Sequence, residues 1–190
     1  MEIKTGIFGG SFNPIHIGHL ALANYLCEYE GIDELWFMVS PQNPFKRNDH
    51  LPDNNVRLSL VEAAIKGYPR FKASDFEFQL PKPSYTVHTL QALKTTYPQR
   101  DFFLIMGADN WLRFTEWKEP ERILSLCSIL VYPRKGYAVN ETAMPRNVRM
   151  AQAPLMEISS SFIRQAIKEG RDIRFFLPES IREQAISLYE

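Results

Sequence analysis

The sequence predicts an α/β fold: a doubly wound, mainly parallel, Rossmann-like sheet with helices on both faces. Three observations carry this. Short, nearly all-apolar runs such as Leu35–Val39 and Asp101–Met106 suit strands buried on both faces. Segments with helical spacing alternate with those runs along the chain. Glycines and prolines cluster in the intervening stretches, and no linker, repeat or low-complexity tract divides the 190 residues. A single domain over residues 1–190 is the expectation.

The elements follow in order. Ile3–Phe8 reads as the first strand, stopped by Gly9-Gly10. Gly18–Tyr29 reads as a helix with Leu20, Ala21, Ala23, Leu26 and Cys27 on its apolar stripe. Leu35–Val39 is the second strand, and Ser40–Asn54, rich in Pro, Asn and Asp, is loop. Val56–Lys66 is a helix and Phe71–Ser74 a strand, followed by a loop at Pro81-Lys82-Pro83. Tyr85–Tyr97 is a helix with Ser84 as its N-cap. Asp101–Met106 is the clearest strand. Short helices at Trp111–Phe114 and Pro120–Leu126 precede a strand at Ser128–Tyr132. Pro133–Pro154 is irregular with room for one more short strand, and helices at Ser160–Glu169 and Glu179–Tyr189 close the chain.

Composition excludes several classes. With 45% hydrophobic and 23% charged residues the chain is neither disordered nor fibrous. A chain of this length buries roughly 70% of its unfolded surface and needs no staple. Lys+Arg and Asp+Glu are both 22, so no broad electrostatic grip on nucleic acid or on an anionic membrane is expected. Cys27 and Cys127 make neither a disulfide framework nor a four-ligand zinc site, and are expected as buried reduced thiols. The N-terminus carries no signal-peptide pattern, and no apolar run approaches the ~20 residues of a membrane span. A cytoplasmic location is the expectation.

Ligands of such sheets bind at the carboxyl ends of strands near a switch in strand order. The loops after Phe8, Val39 and Met106 are therefore the places to search. After Phe8 comes Gly9-Gly10-Ser11-Phe12-Asn13-Pro14-Ile15-His16-Ile17-Gly18-His19. Glycines there allow close backbone approach, and a helix mouth offers N–H groups and a positive dipole end to an anion. The segment has neither a Walker A Gly-Lys-Ser/Thr nor a G-x-G-x-x-G. It carries two of the chain's four histidines, three apart, so both imidazoles can face one anion. Zinc is a weaker alternative, since no Cys or carboxylate lies beside them.

Late in the chain stands Ile158-Ser159-Ser160-Ser161-Phe162-Ile163-Arg164. One hydroxyl suffices for an N-cap; three with a guanidinium suit a second phosphate clamp. Gly107-Ala108-Asp109 follows the best strand, and Asp109 suits either a ribose hydroxyl or a helix cap. Trp117, in a polar stretch, suits ring stacking or core packing. Lys46 and Arg47 can reach a polyphosphate or simply be solvated.

The His-x-Gly-His and Ile-Ser-Ser-Ser-x-Ile-Arg segments together resemble the nucleotidylyltransferase superfamily. Within it the chain is most similar to the bacterial nicotinate-nucleotide adenylyltransferases, over its whole length and including Gly107-Ala108-Asp109 and Trp117. Asn13 stands where that family often has Asp, and Ser161 where it often has Thr. The resemblance implies a nucleotidylyltransferase fold. It also implies ATP and nicotinate mononucleotide as partners, with nicotinate adenine dinucleotide and pyrophosphate as products and Mg²⁺ carried in with ATP. It implies catalytic roles for His16 and His19. ATP would contact Gly9, Gly10, Ser11, Phe12, Lys46, Gly107, Asp109, Ile158, Ser159, Ser160 and Arg164 besides. The mononucleotide would contact Asn43, Tyr85, Thr86 and Trp117, and no residue is expected to ligate a metal directly. The alternatives are a phosphopantetheine adenylyltransferase, a cytidylyltransferase, or a nucleotide sensor without activity. The sequence leaves the oligomeric state open.

Overall fold

The structure is a computed structural model that describes residues 2–41 and 51–190. Six strands form one all-parallel sheet in the order β3-β2-β1-β4-β5-β6. They are β1 (Ile3–Gly10), β2 (Glu34–Val39), β3 (Phe71–Ser74), β4 (Arg100–Gly107), β5 (Ser128–Tyr132) and β6 (Val148–Met150). The last fills the room left in the irregular stretch. The helices are α1 (Ile17–Tyr29), α2 (Asn54–Ile65), α3 (Thr86–Thr96), α4 (Ala108–Trp111), α5 (Pro120–Leu126), α6 (Ser160–Lys168) and α7 (Arg182–Tyr189).

Side chains alternate across each strand, and this alternation builds two cores. Leu35, Phe37 and Val39 of β2 face one side with Phe8, Ile105 and Leu130, beneath α1, α2, α6 and α7. Trp36 and Met38 face the other with Ile7, Phe102, Leu104, Met106 and Val131, beneath α3, α4 and α5. Both faces of every central strand are therefore covered, which is why these runs read as continuously apolar. Cys27 and Cys127 are buried free thiols, and burial pushes them up to about 11 and about 12.

Several expected boundaries shift. Gly9 and Gly10 do not stop β1, but pair with Met38 and Val39 because β2 runs on beside them. Tyr85, not Ser84, occupies the N-cap position of α3, and the Ser84 hydroxyl is buried without a hydrogen-bond partner. The helix expected at Trp111–Phe114 splits into α4 and a 3₁₀ turn at Phe114–Glu116, with Gly107 as the N-cap of α4. Asp109 thus lies inside α4 and does not cap it. The expected last helix begins instead as a 3₁₀ turn at Glu179–Ile181. No described helix is long and apolar enough to cross a membrane.

The strand order reverses direction between β1 and β4, so the loops after Gly10 and Gly107 diverge and open a crevice. The candidate site lies there.

Candidate active site

Two adjoining clefts open at the carboxyl ends of the strands, sharing Phe8 and Tyr132. One contains His16, Gly18, His19, Arg134 and Ile158. The other runs from Gly9, Gly10 and Ser11 past Ser40, Glu77, Ser84, Tyr85 and Thr86 to Asn110, Trp117 and Lys118. The histidines and the Trp117 region, far apart in sequence, therefore stand at the two ends of one crevice.

His16 is the N-cap residue of α1 and His19 lies on its first turn. The spacing stacks their rings, with centroids 3.7 Å apart and planes 22° from parallel. The His16 backbone N–H donates to His19 Nδ1 at 3.3 Å. A neutral imidazole that accepts at Nδ1 carries its proton on Nε2, so His19 presents an N–H donor there. Burial, with help from Arg134, lowers His16 to about 4. His19 lies well below the usual histidine range, chiefly through burial and then through His16 and Arg134. Both rings are therefore neutral near pH 7, available as hydrogen-bonding groups rather than as cations. Gly18 makes this packing possible: a Cβ there would sit 3.1 Å from His16 Nδ1 and 3.2 Å from Ile158 Cβ.

The positive charge comes from Arg134, a residue the sequence reading passed over. It follows β5, lies over the Tyr132 ring with its guanidinium carbon 5.2 Å from the ring centroid, and pairs with Asp109 at 3.6 Å. The Asp109 Oδ1 is buried and has no hydrogen bond of its own. Gly107 allows this approach, since a Cβ there would strike Asp109 Oδ1 and come within 3.2 Å of Arg134. The available signal was position: Pro133–Gly136 leaves the carboxyl end of a central strand, as the three searched loops do.

The helix mouth is less open than expected. The Ile17 N–H donates to Phe176 O at 3.0 Å, and the His19 N–H turns back to His16 O at 3.0 Å. The donor set toward an anion is therefore built more from imidazoles and guanidinium than from a row of free amides.

The late serine segment grips the early loop. Ser159 caps α6 by accepting from the Phe162 N–H at 3.1 Å. Ser160 donates to Pro14 O at 2.9 Å, and Arg164 donates to Asn13 O at 2.6 Å. Asn13 Oδ1 also accepts from the Tyr189 hydroxyl at 2.6 Å. From the other side, fully buried Arg57 donates to Ser11 O at 2.6 Å, Ser40 O at 3.0 Å, Pro52 O at 3.0 Å and Asn54 Oδ1 at 2.6 Å. The loop is clamped so firmly that Phe12 sits at φ 42°, in the left-handed region that non-glycine residues rarely occupy.

Trp117 is half-buried: it packs on the second core, and it also lines the cleft. Glu77 is a second residue that sequence reading missed. Its carboxyl is buried, accepts from Thr89 Oγ1 at 2.8 Å and from Ser40, and is raised by burial above the usual carboxylate range. Asn43, Lys46 and Arg47 lie outside the described residues. Among the described residues no three His, Cys, Asp or Glu side chains converge as a metal-binding group.

A parallel sheet with such a crevice at its switch point, holding neutral donors and a guanidinium, defines a nucleotide-binding α/β protein. The chain belongs to the cytidylyltransferase-like family, whose model matches residues 7–166. It is 60% identical to a Bacteroides fragilis protein named "Probable nicotinate-nucleotide adenylyltransferase", over 97% of this chain and 92% of that one. An Azobacteroides pseudotrichonymphae protein of the same name is 47% identical, covering 97% of each chain. The fold also matches the Plasmodium falciparum nicotinic acid mononucleotide adenylyltransferase complexed with NaAD, with a TM-score of 0.79 at 18% identity and 98% of each chain covered.

Proposed function

We propose that this chain transfers the adenylyl group of ATP to nicotinate mononucleotide, forming nicotinate adenine dinucleotide and pyrophosphate in NAD biosynthesis. The observation that carries the reading is the single crevice, with neutral histidines and Arg134 at one end and Trp117 with Thr86 at the other. ATP phosphates belong at the histidine end, where the donors are. The mononucleotide lies along the Trp117 arm with its phosphate toward them.

The mononucleotide phosphate is its own nucleophile, largely ionised near pH 7 because its second pKa is about 6. An oxygen of that phosphate bonds to the ATP α-phosphorus, and the bond to the β-phosphate bridging oxygen breaks with its electron pair. Pyrophosphate leaves, so no general base and no covalent enzyme intermediate is required. The chain's task is to align two anions and to stabilise charge that grows on the phosphoryl oxygens. His19 Nε2–H, His16 and Arg134 supply that stabilisation. Mg²⁺ carried in with ATP would neutralise phosphate charge and would be held mostly by phosphate and water oxygens, as is common for this ion. A cytoplasmic site of action is part of this reading.

The experiment is pyrophosphate release with Mg-ATP and nicotinate mononucleotide, nicotinamide mononucleotide or phosphopantetheine, and separately with CTP and glycerol 3-phosphate. Fast turnover with the acid mononucleotide is expected, and His19→Ala loses about 10²–10³ in kcat, as when one positioned donor is removed. ATP binding without release from any acceptor would sink the reading.

A further inference from the structure

Glu77 lies on the 3₁₀ turn Phe76–Gln79, between β3 and α3, and lines the cleft that runs from Gly9 to Lys118 although it is only 8% exposed. Taking a carboxyl out of water is costly unless its neighbours offset the loss. Two hydroxyls do so here, that of Thr89 at 2.8 Å and that of Ser40, and both residues line the same cleft. An apolar side chain of similar size would fill the space without that cost, so packing alone does not account for a carboxyl at this place.

The two hydroxyls come from different elements. Ser40 follows β2; its N–H donates to Gly10 O at 2.9 Å, and its carbonyl accepts from Arg57 at 3.0 Å. Thr89 lies on α3, and its N–H donates to Tyr85 O at 3.2 Å. Gly10, Ser40, Glu77, Thr89 and Tyr85 thus form an unbroken path of hydrogen bonds, and all five line the cleft. Glu77 is the middle link. It joins the end of β2, and with it the loop after β1, to the start of α3.

On the function proposed above, and whichever substrate fills this cleft, we infer that Glu77 is a positioning residue: by holding the Ser40 and Thr89 hydroxyls together, it keeps the Gly10 wall and the Tyr85 end of α3 at the spacing that binds that substrate. Both carboxylate oxygens accept, whereas the nitrogen of an amide only donates, so Glu77→Gln weakens the bridge without changing its size. The bridge shapes the cleft that lacks the histidines, so its effect falls on KM for the substrate bound there.

The test is steady-state kinetics of adenylyl transfer, varying each substrate with the other saturating. It compares wild type, Glu77→Gln, Thr89→Val, Thr89→Ser and the Glu77→Gln/Thr89→Val double variant, below the Tm of the least stable. Glu77→Gln and Thr89→Val are each expected to raise KM for the same one of the two substrates about 5–10-fold, the equivalent of one hydrogen bond, with the other KM held within about twofold. Thr89→Ser keeps the hydroxyl and is expected to keep both constants. Because the two side chains act as one bridge, the double variant falls well short of the product of the single effects. Should Glu77→Gln not fold, the contrast of Thr89→Val with Thr89→Ser reads the same bridge. Variants that lose Tm but keep both KM values, or that raise both alike, make Glu77 a structural residue and overturn its role alone. A wild type that transfers no adenylyl group overturns this inference together with the function it rests on.

Discussion

At the residue scale, burial keeps the two histidines neutral, and stability therefore depends on pH. His16 is lowered from 6.5 to about 4 by burial and Arg134. Between those values the unfolded chain holds a proton that the folded chain does not, so folding releases it and stability rises with pH. The contribution is fully present above about 6.5 and is lost as pH falls through 6.5 toward 4. His19 shifts in the same direction. The His16 shift alone corresponds to stability on the order of 3 kcal/mol at neutral pH relative to pH 4. Urea denaturation at pH 7.5, 5.5 and 4.5 checks this. The wild type should weaken steeply below pH 6.5, and His16→Asn, which has no titrating ring, should weaken less. Equal slopes would mean that His16 is protonated in the folded chain.

At the element scale, what the sequence made legible was the repeating apolar pattern, and what it hid was long-range hydrogen bonding. Leu35–Val39 and Asp101–Met106 were readable because burial on both faces leaves no polar position to interrupt the run. The His16–His19 pair was readable because a helix turn fixes the spacing of residues three apart. Arg134, Glu77 and Arg57 were not, since a single charged residue in a varied segment looks like a solvated one. Their meaning comes from partners many residues away. The serines of Ser159–Arg164 were legible as an N-cap, which Ser159 makes, or as a clamp near phosphate, but not as the grip that Ser160 and Arg164 hold on the Asn13-Pro14 backbone. Arg57 shows how much such a residue carries. It joins the loop after β1, the end of β2 and the start of α2 through four acceptors. Arg57→Met would leave three of those carbonyls, on half-buried residues, without this donor and would remove the guanidinium's four bonds together, a loss of about 3–5 kcal/mol. For a chain of this size that corresponds to a fall in Tm of roughly 10 °C. Thermal unfolding of the variant measures it, and a Tm within 2 °C or so of wild type would show that water replaces the guanidinium without loss.

At the scale of the whole molecule, the loop after β1 is held by the chain's last helix as well as by its first strand. Tyr189 of α7 is buried, and its hydroxyl donates to Asn13 Oδ1 at 2.6 Å across 176 residues of sequence. Burial raises that hydroxyl to about 12, so it remains a donor at any physiological pH. Asn13 is thereby fixed at its side chain by α7 and at its carbonyl by Arg164 of α6. Phe12 beside it has a left-handed backbone, the kind of conformation that surrounding contacts have to hold. The terminal helix therefore bears on stability and, through the loop, can bear on the alignment of the histidines that follow it. Tyr189→Phe keeps the ring in the core and removes the hydroxyl alone, so it separates the two contributions. The lost bond costs about 1–2 kcal/mol of stability, since it leaves a buried amide oxygen unpaired. If the contact also holds the loop in register, kcat for adenylyl transfer falls about 3–10-fold at a temperature where the variant is fully folded, because small misplacements of positioned groups are costly in rate. A variant that loses stability but keeps the wild-type kcat would assign α7 to the fold alone and leave the loop's alignment to Arg57, Ser160 and Arg164.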